Sequence, residues 1–176
     1  MVSDEGLMLN FQRGSREAFE EIFERYRQPL YSFFRRRLST SERAEDLTQE
    51  VFVAVIRGTS RYEPRARVRT YLYGIAVNLL AAEHRRQKTA EIREVELGLA
   101  SNESPDSSIW IREALGKLEQ TEREILMLRE YEQLSYSEIA DVLRLPVNTV
   151  RSRLFRSRMA LRQYLEPAGE AQERQR

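Results

Sequence analysis

The chain has 176 residues, 41% hydrophobic and 32% charged, with 29 Lys+Arg against 28 Asp+Glu, one histidine and no cysteine. That length builds one ordinary domain or two small ones. The missing cysteines exclude a disulfide framework and a thiolate zinc site and fit a reducing compartment, and no apolar run approaches the roughly 18 residues of a membrane span.

The pattern is all-α: glycines number only seven, and no long stretch alternates apolar and polar residues. In chain order, the first segment, Met1 to Phe11, is acidic where a secretory signal would be basic. Helices are predicted over 4–13, 15–38, 41–57 and 68–87, with Pro29 expected to kink the second or interrupt its hydrogen bonding. Ser39-x-x-Glu42, Thr121-x-x-Glu124 and Ser135-x-x-Glu138 each fit a capping box, in which hydroxyl and carboxylate satisfy orphan backbone donors. The run from Ala100 to Ser108 is polar, turn-forming and low in hydrophobicity, and the segment 89–105 reads as a linker. Helices resume over 106–117, 121–132, 136–144 and 147–165, and the tail 166–176, with Pro167 and Gly169, is predicted to be disordered. The expectation is two small helical domains, 1–88 and 106–165, joined by that linker.

Net charge near zero speaks against nucleic acid until the charges are located. From Arg57 to Lys88 eight bases face two acids, from Thr89 to Ser108 one base faces five acids, and from Val147 to Leu165 five arginines meet no acid. Two basic blocks therefore flank an acidic one. Charge asymmetry of this kind concerns partners rather than fold, although a solvated arginine-rich helix would show it too.

The stretch Leu134 to Leu154 has the spacing of a helix-turn-helix. Ile139, Ala140 and Leu143 form the inner face of its first helix, Ala140 being small where two helices approach. Pro146 starts the second, where a missing N–H costs little. On that helix Val147, Val150, Leu154, Ser157, Leu161 and Leu165 share one side. Asn148, Ser152, Phe155 and Met159 lie opposite, flanked by Arg151, Arg156 and Arg162. A helix in the major groove uses arginine for guanine edges, short polar groups for bases and phosphate, and apolar atoms for the thymine methyl. A face for a partner helix is the other reading.

In the first domain Asp46-Leu-Thr-Gln-Glu-Val-Phe52 continues into an apolar stripe of Leu47, Val51 and Val55. Gln49 and Glu50 also read as plain helix surface, and Phe52 also as core. The segment Arg57 to Arg69 sets basic residues around Tyr62 and Pro64, which suits stacking on an unpaired base while arginines hold phosphates. The helix after it is expected to bury Leu72, Ile75, Ala76 and Leu79. It would turn Arg67, Thr70, Gly74, Val77, Asn78, Ala81, Arg85 and Lys88 outward. By itself this domain reads only as basic, helical and suited to single strands.

Taken in order, these motifs make the chain resemble bacterial sigma factors of the extracytoplasmic-function (ECF) group over about 15–88 and 106–165. Asp46 to Phe52 is similar to that family's region 2.2, which implies that Asp46, Gln49, Glu50 and Phe52 dock on the clamp helices of the polymerase β′ subunit. Arg69 to Asn78 is similar to region 2.4, which reads the promoter −10 element. The implied −10 set is Arg57, Tyr62, Arg65, Arg67, Thr70, Tyr71, Asn78 and Arg85. The family often has Trp where Tyr71 stands and a basic residue where Gly74 stands. Pro146 to Arg158 is similar to region 4.2, with Asn148 where glycine is common. It implies a −35 set of Asn148, Thr149, Arg151, Ser152, Phe155 and Arg156.

The resemblance implies a cytoplasmic, non-enzymatic protein whose partners are core RNA polymerase (β′ clamp helices and β flap), promoter DNA and an anti-sigma factor, with no cofactor or metal. The linker of about 17 residues would reach roughly 60 Å at full extension. Its implied path lies in the polymerase active-site and RNA-exit channel, where its acids would mimic nucleic acid. A polymerase-independent regulator of LuxR type shares the helix-turn-helix opening but needs a sensor domain that 1–88 does not resemble. An enzyme would need motifs that are missing, such as a P-loop, a His-Glu-x-x-His site or a Gly-rich dinucleotide loop. The single histidine, His84, sits among Glu83, Arg85 and Arg86 and reads as a surface or phosphate contact.

Overall fold

The structure is a computed structural model that describes residues 2–64, 67–96 and 109–165, apart from the side chains of 61, 90–96, 109–112 and 165. It divides into two compact units, one of residues 1–103 with 141–143, the other of residues 104–140 and 144–176. Among the described residues every regular element is a helix.

The first unit holds α1 (Asp4–Gln12), α2 (Arg16–Arg35), α3 (Ser41–Gly58), a single 3-10 turn (Thr59–Arg61) and α4 (Val68–Glu96). Each of the first three helices starts at a hydroxyl that accepts a backbone N–H: Ser3 from Gly6, Ser15 from Ala18 and Thr40 from Arg43. Such caps satisfy donors that the first turn leaves orphaned. Ser39 is thus not the cap of α3, and the predicted box there is displaced by one residue, leaving Glu42 in the first turn to face the helix dipole. Helix α2 runs unbroken through Pro29, whose ring is exposed.

The core of this unit comprises Met8, Ile22, Leu30, Phe33, Phe34, Leu47, Val51, Val55 and Leu72, all at most 1% exposed. Phe11, Phe19, Phe23 and Phe52 add an aromatic cluster, with ring centroids 4.8 Å apart for Phe11–Phe19 and 4.7 Å for Phe23–Phe52. Helix α4 is longer than predicted and turned differently. It continues to Glu96, through the first half of the expected linker; Thr89 to Glu96 holds neither glycine nor proline to stop it. Its buried stripe is Val68, Leu72, Tyr73, Ala76, Leu80 and Glu83, while Ile75 and Leu79 are half-buried. Contacts with α1, α2 and α3 together cover a wider arc than one amphipathic face, and Tyr73 meets Phe33 edge-on at 5.6 Å. The predicted linker beyond Glu96 and the tail lie outside the described residues.

The second unit holds α5 (Ile109–Gly116), α6 (Gln120–Glu130), α7 (Tyr136–Leu143) except its last three residues, and α8 (Val147–Leu165). Ile125, Leu128, Leu134, Ile139, Val150 and Leu154 are at most 1% exposed. Ser157 is fully buried, and its hydroxyl reaches the carbonyls of Glu122 on α6 (3.2 Å) and Arg153 (2.8 Å). A small side chain there lets α6 and α8 approach. The capping box at Ser135 is complete: Ser135 Oγ accepts from Glu138 N, and Glu138 accepts from Ser135 N at 2.8 Å. The box predicted at Thr121 is absent, because α6 already begins at Gln120, after Glu119, with no side-chain cap.

Candidate nucleic-acid interface

The helix-turn-helix is formed by α7 and α8. Helix α7 ends at Arg144, whose backbone is left-handed (φ 54°), and Leu145 N–H then donates to Ala140 O at 2.9 Å. This closing bond usually has glycine at the left-handed position. It turns the chain sharply so that Pro146 can start α8. With Val150, Leu154 and Ser157 inward, Asn148, Arg151, Ser152, Phe155 and Arg156 face solvent, and Thr149 is half-buried. Phe155 is 66% exposed and Met159 43%. Phe155 and Met159 thus set apolar surface among the cations of this helix.

Three α8 arginines are tied to acids of the second unit. Arg153 meets Glu119 at 3.0 Å, Arg156 meets Glu122 at 3.4 Å and Arg158 meets Glu130 at 2.6 Å. Arg156 stays 63% exposed while Glu122 is only 17% exposed, so a fixed negative charge lies beneath a presented guanidinium. Arg151 bonds Asn148 Oδ1 at 3.3 Å, holding two predicted reading residues side by side. Sequence reasoning missed Glu119, Glu122 and Glu130 because their arginine partners lie 28 or 34 positions away.

In the first unit Asp46, Gln49 and Glu50 form an exposed edge on α3, and Phe52 points away from it into the core at 3% exposure, against Phe19 and Phe23. Phe52 is therefore packed within the core of this unit in this structure. Arg43 lies behind the edge, 3.4 Å from Asp46, 3.3 Å from Glu50 and 3.0 Å from the buried Glu83 of α4. The hydrogen bond from Arg43, helped by Arg86, holds the Glu83 carboxyl below the usual carboxylate range against the opposing effect of burial. A shallow groove of about 690 Å³ starts beside this edge, lined by Glu50, Val53, Ala54, Arg57, Gly58 and Leu79. Val53 of this lining and Ile56, also on α3, are 42% and 53% exposed.

The basic connection after α3 differs from the expectation. Tyr62 is 5% exposed, its ring 5.3 Å from Tyr71, so it is not an open stacking platform in this conformation. Burial, with the charges of Glu5 and Asp4 nearby, pushes its phenol up to about 12. Gly58 makes this packing feasible, since a Cβ there would stand 2.9 Å from the Tyr71 hydroxyl. Thr70 is buried too, being on the inner side of α4. Arg57, Arg67, Asn78 and Arg85 are exposed, Tyr71 is half-buried, and Arg65 lies outside the described residues. Arg57, Arg67 and Arg85 thus face solvent, while Tyr62 and Thr70, two of the polar and aromatic −10 candidates, are interior. Among the described residues no group of acids and histidine could hold a metal ion, and no helix is long and apolar enough to cross a membrane.

Comparison with known proteins converges on one family. The model of sigma-70 region 2 matches residues 22–90 and that of sigma-70 region 4 matches residues 108–161. The RNA polymerase sigma-H factor of Pseudomonas aeruginosa is 32% identical, over 93% of this chain and 94% of its own. The ECF sigma-E factor of Escherichia coli (strain K12) is 29% identical over 94% of this chain and 96% of its own, and SigW of Bacillus subtilis is 27% identical over 88% and 92%. Among solved structures, CnrH in complex with the cytosolic domain of CnrY is similar in fold, with a TM-score of 0.74 at 24% identity over 93% of this chain and 97% of that one. RpoE from Bartonella quintana, solved with the anti-sigma factor NepR, aligns with a TM-score of 0.67 at 22% identity, over 84% of this chain and 96% of that one. A LuxR-type regulator is not favoured, since it offers no counterpart to region 2. With both regions in order on one short all-helical chain, the protein belongs to the ECF group of the sigma-70 family of RNA polymerase sigma factors.

Proposed function

We propose that the first unit docks on core polymerase through the Asp46–Gln49–Glu50 edge and opens the −10 element with the cations around α4, while α8 reads the −35 element in the major groove. The observation that carries this is the solvent face of α8. Asn148, Arg151, Ser152, Phe155 and Arg156 stand outward behind a tight turn, with a large ring exposed among guanidinium groups. Arginine to guanine edges and phenyl to a thymine methyl are the pairings such a face offers.

On the first unit, the exposed acids suit a basic clamp-helix partner, and the adjoining apolar groove with Val53 and Ile56 extends that surface. Arg57, Arg67 and Arg85 would hold phosphates, and Asn78 would meet a base edge. Base flipping costs a few kcal/mol and stacking returns about 1–3 per base, so opening needs several contacts and polymerase support. Tyr62 and Thr70 contribute by packing unless the connection rearranges on DNA. The regions 1–88 and 106–165 are the proposed functional domains, the acidic segment between them the proposed channel occupant. Cytoplasmic location and inhibition by an anti-sigma factor follow the same reading, supported by relatives solved with such partners. No catalytic step is proposed.

The test is gel filtration of the protein with core polymerase, then run-off transcription from promoters varied at −35. Arg156→Ala should lower output in a way that depends on the −35 sequence, by about 1–3 kcal/mol of discrimination at one position. Equal loss on all promoters would remove Arg156 from base reading.

A further inference from the structure

Helix α1 lies outside every motif discussed so far, yet it grips both ends of the basic connection between α3 and α4. At one end the Gln12 side-chain amide donates to two main-chain carbonyls, Thr59 O at 2.6 Å and Tyr62 O at 2.8 Å. One NH₂ group thus uses both of its hydrogens on a segment 47 and 50 positions away. At the other end the Glu5 carboxylate accepts the Val68 N–H at 3.3 Å, satisfying a first-turn donor of α4. Helix α1 is itself fixed to α2: Asp4 pairs with Arg25 at 2.5 Å and accepts from the Tyr26 hydroxyl, and Met8 is fully buried. The carbonyls that Gln12 holds belong to the 3-10 turn and to Tyr62, whose ring packs on Tyr71 of α4. Their direction sets where the connection leaves α3.

We infer that α1, through the Gln12 amide, is the positioning element of the −10-reading surface, presenting residues 59–62 and the start of α4 in one fixed geometry. The inference rests on the proposed reading of that surface. Gln12 touches no DNA in this scheme. It acts through the backbone of residues 59 and 62, and its loss would leave two carbonyls to water and the connection free to take other paths.

The experiment uses the full chain assembled with core polymerase and a promoter pool randomised at both −10 and −35, read by sequencing the transcripts, with permanganate footprinting for opening. In Gln12→Glu the shape is kept, but both donors are lost and a carboxylate faces two carbonyl oxygens. Holoenzyme should form as with the unsubstituted chain and −35 preference should persist. Opening should fall about tenfold, the combined weight of two hydrogen bonds worth a few-fold to tenfold each, and the −10 preference should flatten. Gln12→Lys, which returns a donor to the same carbonyls, should recover most of the −10 preference, and it serves as the reporter should Gln12→Glu fail to fold. An unchanged −10 preference in Gln12→Glu, or a loss shared equally by all −10 sequences and not recovered in Gln12→Lys, would overturn the inference and leave α1 a purely structural helix. If the unsubstituted holoenzyme shows no −10 preference at all, the proposed reading of the first unit fails instead.

Discussion

Phe52 and Gln49 lie three positions apart on α3 and belong to different chemistry. Phe52 is packed against Phe19 and Phe23. Truncating a buried phenylalanine costs about 3–5 kcal/mol through lost transfer energy and the cavity left behind. Phe52→Ala should therefore lower Tm markedly, whereas Gln49→Ala, at an exposed site, should leave Tm nearly unchanged and weaken holoenzyme assembly. Thermal unfolding beside gel filtration with core polymerase separates the two. Equal stability of both variants would put Phe52 back on the docking surface. Arg156 shows the same separation of roles within one side chain: its guanidinium is presented outward, yet Glu122 fixes it from below. Unpaired, it would bind any phosphate. The carboxylate beneath it penalises contacts that need only positive charge, which favours base-dependent binding over indiscriminate binding.

The helix-turn-helix turn makes its own prediction at the level of elements. A non-glycine residue in the left-handed region costs about 1–2 kcal/mol, against about 0.5–1 for the extra backbone freedom of glycine. Arg144→Gly should thus raise the Tm of the second unit by the equivalent of roughly 0.5–1 kcal/mol, and an unchanged or lower midpoint in thermal unfolding would contradict it. The elements themselves were largely legible in the sequence. The spacing of Leu47, Val51 and Val55, and of Val150, Leu154 and Ser157, marks α3 and α8 with the faces the structure shows. Two features were not legible. The rotation of α4 depends on packing against three other helices, so its buried stripe is wider than any single 3.6-residue pattern, and Thr70 is drawn inside. The caps of α3 and α6 turn on which of two adjacent residues adopts extended backbone, a choice that Ser39-Thr40 and Glu119-Gln120-Thr121 do not advertise.

Over the whole molecule, charge that sums to almost nothing is sorted by position, and the interior repeats the pattern in miniature. Arg43 and Glu83 join α3 to α4, with Asp46 and Glu50 at the outer side of the same guanidinium. Because the folded Glu83 carboxyl is held below its ordinary value of 4.5, this pair contributes its full stability above that value. The contribution is lost as pH falls through the lowered value, where Glu83 must take a proton. Acid unfolding should therefore be less steep in Glu83→Gln than in the unsubstituted chain, while at neutral pH Glu83→Gln should be destabilised by about 3 kcal/mol, the low end for breaking a buried pair. Parallel acid curves would show that Glu83 carries none of the acid sensitivity. The candidate site was legible where it lies on a single helix, as on α8. It was not legible where it depends on side chains meeting across tens of residues, as with Gln12 and Tyr62, whose partners are set by tertiary packing alone.

Helix α7 is bracketed by the two non-glycine residues of positive φ among the described residues, Gln133 at 56° before it and Arg144 at 54° after it. Both store conformational energy in the joints of an eight-residue helix. The joints therefore gain, rather than lose, when α7 detaches, so it should act as a latch with a lower opening free energy than α8. Native-state hydrogen exchange would register this as earlier labelling of the Ile139 to Leu143 amides than of Val150 to Leu154.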